Sequence, residues 1–196
     1  AVLLQLGGSF ATAAINMMSM VTHTIPYLGS YNPNRGYGGG FGLGQSAAAM
    51  TKAAVDVKNA QLANYDYMLQ VVESQTLQDK HNLSRDEANA ILEATGAGVL
   101  QAAQFNALVG TSRGGRASNS YNGAIKAWMS MFSYTEQLNR RSTFLASYRL
   151  ERERILSDQR YGTNFDNLPV EDQIAVRDAA LEFATKAVNT SQGEYA

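Results

Sequence analysis

Residues 119–158 read NSYNGAIKAWMSMFSYTEQLNRRSTFLASYRLERERILSD, and this stretch decides the fold class. Ile125, Trp128, Met129, Phe132, Leu138, Leu145 and Tyr148 recur at helical spacing and predict one long helix with an apolar stripe. Asn119 or Ser120 suits its N-terminal cap, and Tyr161-Gly162 suits its end. After Tyr148 the run Arg149, Glu151, Arg152, Glu153, Arg154 alternates in sign, which predicts a solvated end. Four polar residues interrupt the stripe: Glu136, Asn139, Arg140 and Arg141. Glu136 and Arg140 are four apart and can pair on one helix face. Two readings of that pair stay open. One is a solvated salt bridge. The other is a buried polar clamp between helices, formed by Glu136, Asn139 and Arg140, where the charges are costly unless satisfied.

Outward from this helix, the chain reads as all-α, an extended multi-helix segment with glycine-rich loops. Pro169 suits the first turn of a final helix running to about residue 189, with Glu171 and Asp172 near its positive end. On the N-terminal side, Ser84-Arg85-Asp86-Glu87 is a capping box, and its helix is expected to reach about residue 109. Gly96 and Gly98 weaken that helix or allow a close neighbour. Residues 46–79 read as one long helix capped by Ser46, with Val55, Leu62, Tyr65, Leu69 and Val72 on its apolar line. Residues 24–45, with Pro26, Pro33 and the run Gly38-Gly39-Gly40-Phe41-Gly42-Leu43-Gly44, read as a linker. Residues 1–22 have helical spacing, broken by Gly7-Gly8 and several polar residues. Burial against neighbouring helices is the preferred reading there, with contact at a membrane surface as the alternative. The organisation expected is one continuous segment: 1–45 as helix and linker, 46–110 as a helical pair, 119–196 as the long helix and the last helix.

Charge is unevenly spread. The net charge of -1 over 196 residues predicts no general attraction to nucleic acid. Residues 1–51 carry one formal charge, Arg35, and the first acidic residue is Asp56. Absence of cysteine rules out disulfides and thiolate metal sites, and two histidines, His23 and His81, make a poor metal set. The chain begins with Ala1, which suggests excision from a longer chain cut at both ends. No cofactor or metal ligand set is expected.

Candidate chemistry is thin. The glycine-rich run has no strand before it and no G-x-x-x-x-G-K-[ST] pattern, so it does not read as a phosphate cradle. Arg113-Gly114-Gly115-Arg116 is one copy of an RGG-like element, better read as a solvated loop. The carboxylate pairs Asp86/Glu87, Glu151/Glu153 and Glu171/Asp172 sit where capping, dipole and solubility roles explain them. No G-x-S-x-G is present. No catalytic residue is assigned.

Two landmarks carry a resemblance. Met131 to Tyr148 follows a pattern of phenylalanine, a gap, glutamate, two residues, Asn139-Arg140, then an aromatic-alanine-tyrosine ending. Ala187-Val188-Asn189-Thr190-Ser191-Gln192-Gly193-Glu194-Tyr195 forms the second, in the expected order. Together, over about residues 84–196, they resemble the large polyvalent-protein-associated domains and the internal virion, or ejection, proteins of short-tailed phages. In that family the second landmark continues into an Asn-Arg-Pro stretch and further apolar helices, before which this chain stops. The resemblance implies a non-enzymatic structural segment of a virion, helping to form a conduit for genome delivery into the host and reaching the cell envelope after ejection. It implies partners among copies of the same chain and other virion proteins (portal, tail or ejection proteins), with phage DNA and the host membrane as further contacts. Glu136, Asn139 and Arg140 become structural positions at a helix–helix contact. The alternative it leaves is a non-catalytic peripheral segment of a virion-packaged enzyme, an RNA polymerase or a lytic transglycosylase.

Overall fold

A computed structural model describes residues 18–32, 36–37, 39–101, 119–157 and 164–192. Residues 1–17 of the helix expected over 1–22, the RGG-like loop and the Tyr161-Gly162 stop lie outside the described residues. A π-helical turn, Met20–Thr24, runs into helix α1, Ile25–Ser30. Strands β1, Tyr31–Asn32, and β2, Gly36–Tyr37, pair antiparallel as a minimal ribbon with Tyr31 opposite Tyr37. Then follow α2, Leu43–Asp56; a 3-10 turn, Ala60–Ala63; α3, Tyr65–Glu73; α4, Gln75–His81; α5, Arg85–Gly96; α6, Asn119–Leu156; a 3-10 turn, Phe165–Asn167; and α7, Val170–Gln192. The all-α expectation holds.

Helix α6 is the axis. It packs against α7, α2, α5 and the two turns at Met20–Thr24 and Ala60–Ala63. Residues Asn139 to Glu151 are buried without interruption, so α6 has no solvent face over that span. This corrects the apolar-stripe reading for the C-terminal half: thirteen consecutive buried positions cannot be one face of a helix. Against it, α7 lays Val176, Ala180, Phe183, Ala184, Ala187 and Val188, a stripe at helical spacing whose alanines let the two axes approach. Phe41 meets Phe183 edge-on at 5.8 Å. The same apolar core takes in Leu28, Met50, Leu62, Met68, Val71, Ile91, Phe144 and Leu145.

Three expected elements are redrawn. The single helix over 46–79 is broken at Asn59, Asn64 and Ser74, whose side chains each accept from backbone amides two or three residues past the break. These short polar side chains offer the backbone a cap in place of a continuing helix. With the breaks the facing changes, and Val55, Tyr65 and Leu69 of the expected apolar line are exposed, while Met50, Ala53, Val57, Met68 and Val71 fill the core. Ser46 is no cap either. Helix α2 starts three residues earlier, behind Gly42, and Ser46 donates its amide to the Gly42 carbonyl at 3.0 Å. The 24–45 linker holds α1 and the β ribbon, docked through the buried Leu28.

Helix α5 stops at Gly96 and does not reach residue 109. Gly98 takes φ +78, and the Val99 amide donates to the Ala94 carbonyl at 3.0 Å while Gly98 donates to Thr95 at 3.1 Å. That is a Schellman ending, which needs a left-handed residue after the last turn. The capping box at its start is present in both directions, Ser84 to the Glu87 amide and Glu87 back to the Ser84 amide, each 3.1 Å. Helix α6 ends at Leu156 and α7 extends to Gln192, three residues past the expected end.

Gly42 sits at φ 84, ψ 146, a region that side chains avoid. Gly42→Ala is expected to lower the free energy of unfolding by about 1–3 kcal/mol, and Gly98→Ala by about 1–2 kcal/mol. Urea titration followed by circular dichroism measures both; an unchanged midpoint for Gly42→Ala contradicts the account of that helix start.

Candidate functional site

The three sequence-assigned positions lie in the middle of α6 and are buried, Glu136 at 8%, Asn139 at 1% and Arg140 at 6% exposure. The Arg140 Nε donates to Glu136 Oε1 at 3.3 Å, one helical turn apart, and Nη1 donates to the Val99 carbonyl at 3.2 Å. The pair therefore fastens the turn after α5 to α6. Asn139 turns elsewhere: its Nδ2 donates to Ser19 Oγ at 3.2 Å, on the residue that precedes the π-helical turn. A hydroxyl seam continues from there. Thr24 lies 3.4 Å from the Thr143 hydroxyl and donates to Ser191 Oγ at 3.2 Å, joining the N-terminal turn to α6 and α7. Glu136 Oε2 is buried with no hydrogen-bond partner, a deficit of order 1–3 kcal/mol.

Arg141 belongs to the same polar run but serves a different neighbour. At 1% exposure, it donates from Nη1 to the carbonyls of Asn59 at 3.0 Å and Val57 at 3.4 Å, and from Nε to Gln137 at 3.1 Å. The Tyr134 hydroxyl donates to the Lys58 carbonyl between them at 2.6 Å. A cation is thus placed at the C-terminal end of α2, where the helix dipole is negative. Burial pulls this guanidinium down to about 10.

The largest correction concerns the end of α6. The run after Tyr148 is solvated only in part: Arg149 is 9% exposed and Glu151 is fully buried, Arg152 and Arg154 are half-buried, and Glu153 is exposed. Arg149 donates to Glu87 through Nε at 2.9 Å and Nη2 at 3.0 Å, to Asp56 through Nη1, and to the Asn82 carbonyl at 3.1 Å. Arg152 donates to Asp86 and Glu87, each at 3.0 Å, and lies over the rings of Tyr148 and Phe165 at 5.6 and 5.9 Å. The Tyr148 hydroxyl donates to Asp86 at 2.6 Å. Glu151 pairs with Arg154. So Asp86 and Glu87, expected as helix-start residues only, also bind α5 to α6, and Asp56 brings in α2. The signal in the sequence was the continuation of Tyr148 by Arg149 and Arg152 on nearby helix faces; what it lacked was any sign of which carboxylates come opposite.

The electrostatics follow the geometry. Burial pushes the Glu87 carboxyl up, but the hydrogen bond and charge of Arg149, the charge of Arg152 and the Ser84 amide outweigh it and hold it below its ordinary value of 4.5. Burial pulls Arg149 down, and its bonds to Glu87 and Asp56 reverse that, leaving it raised. Tyr148 is raised, by burial first and then by Asp86. A carboxylate kept ionised by two guanidiniums is a poor proton donor, so the cluster acts as a cross-link. Beside it opens a polar cleft of about 380 Å³, bordered by Lys52, Gln78, Asp79, Ser84, Arg152 and Glu153 among others. Its cationic and anionic walls alternate, which selects no ligand charge.

His81 lies beneath Tyr67, whose hydroxyl is 2.9 Å from Nε2, and burial followed by the Lys80 charge lowers its pKa. Among the described residues no group of three or more His, Asp or Glu is placed to hold a metal ion, and no helix is long and apolar enough to cross a membrane. No family model matches the chain, and neither does any curated protein or solved structure.

Removing one partner of a buried pair leaves the other uncompensated, so Glu136→Ala is expected to destabilise by about 3–5 kcal/mol. A solvated pair would lose under about 1 kcal/mol; urea unfolding separates the two outcomes. A pH series tests the second cluster. Because the folded-state Glu87 carboxyl is depressed, its contribution is present above its ordinary value of 4.5 and is lost as pH falls through the lower folded value. Wild-type unfolding midpoints should drop as pH falls below 4.5, and Glu87→Gln should flatten that slope. An identical acid slope in the variant would count against the cross-link.

Proposed function

We propose that this chain is a structural, non-enzymatic segment of a phage internal virion protein, of the kind that short-tailed phages eject with their genome. In this reading it is packaged in the virion and assembles with copies of itself and with portal, tail or other ejection proteins. After ejection it lies in the host cell envelope, where it helps to form the conduit for genome delivery.

The observation that carries the reading is where the resembling residues fall. The first landmark ends in Glu136, Asn139, Arg140, Phe144, Ala146 and Tyr148, and these are buried on the axial helix that α2, α5, α7 and two turns pack upon. Side chains of that landmark serve as fasteners: Arg140 to the turn after α5, Asn139 to the N-terminal turn, Tyr148 to Asp86. Landmark residues spent on holding helices together support a scaffold role. Ala187, Val188 and Ser191 of the second landmark face the same axis, through apolar burial and the Thr24 hydroxyl.

Mass spectrometry of purified virions tests this directly. Peptides from residues 1–196 are expected in intact particles, reduced in particles that have released their DNA, and recovered with the envelope of freshly infected cells. Their absence from intact particles would end the proposal.

A further inference from the structure

We propose that the junction between α5 and α6 is an acid-released latch: protonating Glu87 lets α3, α4 and α5 leave the axial helix as one layer while α6 and α7 stay packed.

The two sides of α6 are held by different chemistry. Towards α7 the contact is the apolar stripe from Val176 to Val188, whose buried side chains take up no proton. Towards α5 the fastening is ionic: Glu87 faces Arg149 and Arg152, and Asp86 faces Arg152 and Tyr148. Apolar contact also holds α5, through Ala88 and Ile91 in the core that includes Phe144. That share is the same at every pH; the ionic share is not. Helices α3 and α4 pack on α5 and on each other, and reach α6 mainly through α5. A further ionic tie of α5, Glu93 to Arg177 of α7, is exposed, where such pairs contribute little.

Glu87 has two tasks that one proton removes together. Its carboxylate accepts from the Ser84 amide, closing the start of α5, and it accepts from both guanidiniums of α6. Neutralising it leaves the buried Arg149 with only Asp56 and the Asn82 carbonyl opposite, and a buried cation that loses a counter-charge is strongly disfavoured. Solvent reaches that guanidinium from the polar cleft that Glu87, Arg149 and Arg152 all border. Hydrating it means widening the cleft, which parts α5 from α6. The other charges on the cleft, Lys52 of α2, Asp79 of α4 and Glu153 of α6, are exposed and stay hydrated whether it is open or closed. The folded Glu87 carboxyl lies below its ordinary 4.5, so the latch is closed above that value and is released as pH falls through the lower folded value.

Hydrogen exchange of the full chain, read by mass spectrometry over a pH series from neutral down through 4.5, is the test. Protection, corrected for the intrinsic exchange rate, should fall first in residues Tyr65–Gly96, approaching about tenfold per pH unit for each proton taken up, while Val176–Val188 stays protected. Glu87→Gln keeps a side chain that suits the capping box and removes the charge. It should lower protection of the α3–α5 layer by about tenfold or more at neutral pH and flatten its pH dependence. Asp86→Asn, which leaves the box intact, should act in the same direction, and Glu93→Gln should follow the wild-type profile. Circular dichroism at neutral pH checks that each variant is folded. Loss of protection in both segments at the same pH overturns the latch, as does a layer whose protection does not change with pH. A pH profile for folded Glu87→Gln identical to wild type, or for Asp86→Asn should the first not fold, overturns it equally.

Discussion

A helix carrying Asn139, Arg140, Arg141, Arg149 and Glu151 is enclosed on every side, and the rest of the structure is arranged around that constraint. Taking an ion out of water costs several kcal/mol even after relaxation. Each buried charge on α6 therefore requires a partner, from the same helix or from another part of the chain. Glu136 serves Arg140 from within the helix; Asp56, Asp86 and Glu87 come from α2 and α5 to serve Arg149 and Arg152. The neighbours are placed as much by this demand as by apolar burial.

Not all the partners are carboxylates. Arg141 bonds through Nη1 to backbone carbonyls at the end of α2, while its Nη2 is buried without a partner, and Arg140 and Arg149 each use one carbonyl from a turn beside α5. Helix ends have such carbonyls in surplus, because the last turn lacks intrahelical donors. The broken course of residues 56–101 thus has a use. Each interruption exposes carbonyls, and three of the breaks lie against an α6 arginine. Short helices and turns, which look like weak structure in isolation, supply acceptors to the one long element.

How much of this was legible in the sequence depends on the range of the interaction concerned. The long helix, the capping box at Ser84 and Glu87 and the final helix behind Pro169 are local features, and local spacing identifies them. The breaks at Asn59, Asn64 and Ser74 were also local, but each is one polar residue inside a compatible helical pattern, and the helical period overrode them. The burial of Arg149 and Glu151 was not legible. An alternating charge run looks the same whether water or Asp56 and Glu87 stand opposite, and those partners are more than sixty residues away. For Glu136 and Arg140, spacing showed that they could pair, and only the packing of the turn at Val99 shows them enclosed.

The polar filling of α6 also fixes where that helix can sit. An apolar stripe tolerates sliding, since one aliphatic side chain replaces another with little loss. Guanidiniums aimed at particular oxygens do not. A shift of α6 by one turn, about 5.4 Å, would part Arg140 from Val99, Arg141 from Asn59 and Arg149 from Glu87 in a single step. Misaligned packings are thereby separated from the native one by several broken charge-assisted hydrogen bonds at once, so the arginines act as an alignment key, whose worth lies in excluding other arrangements more than in deepening this one.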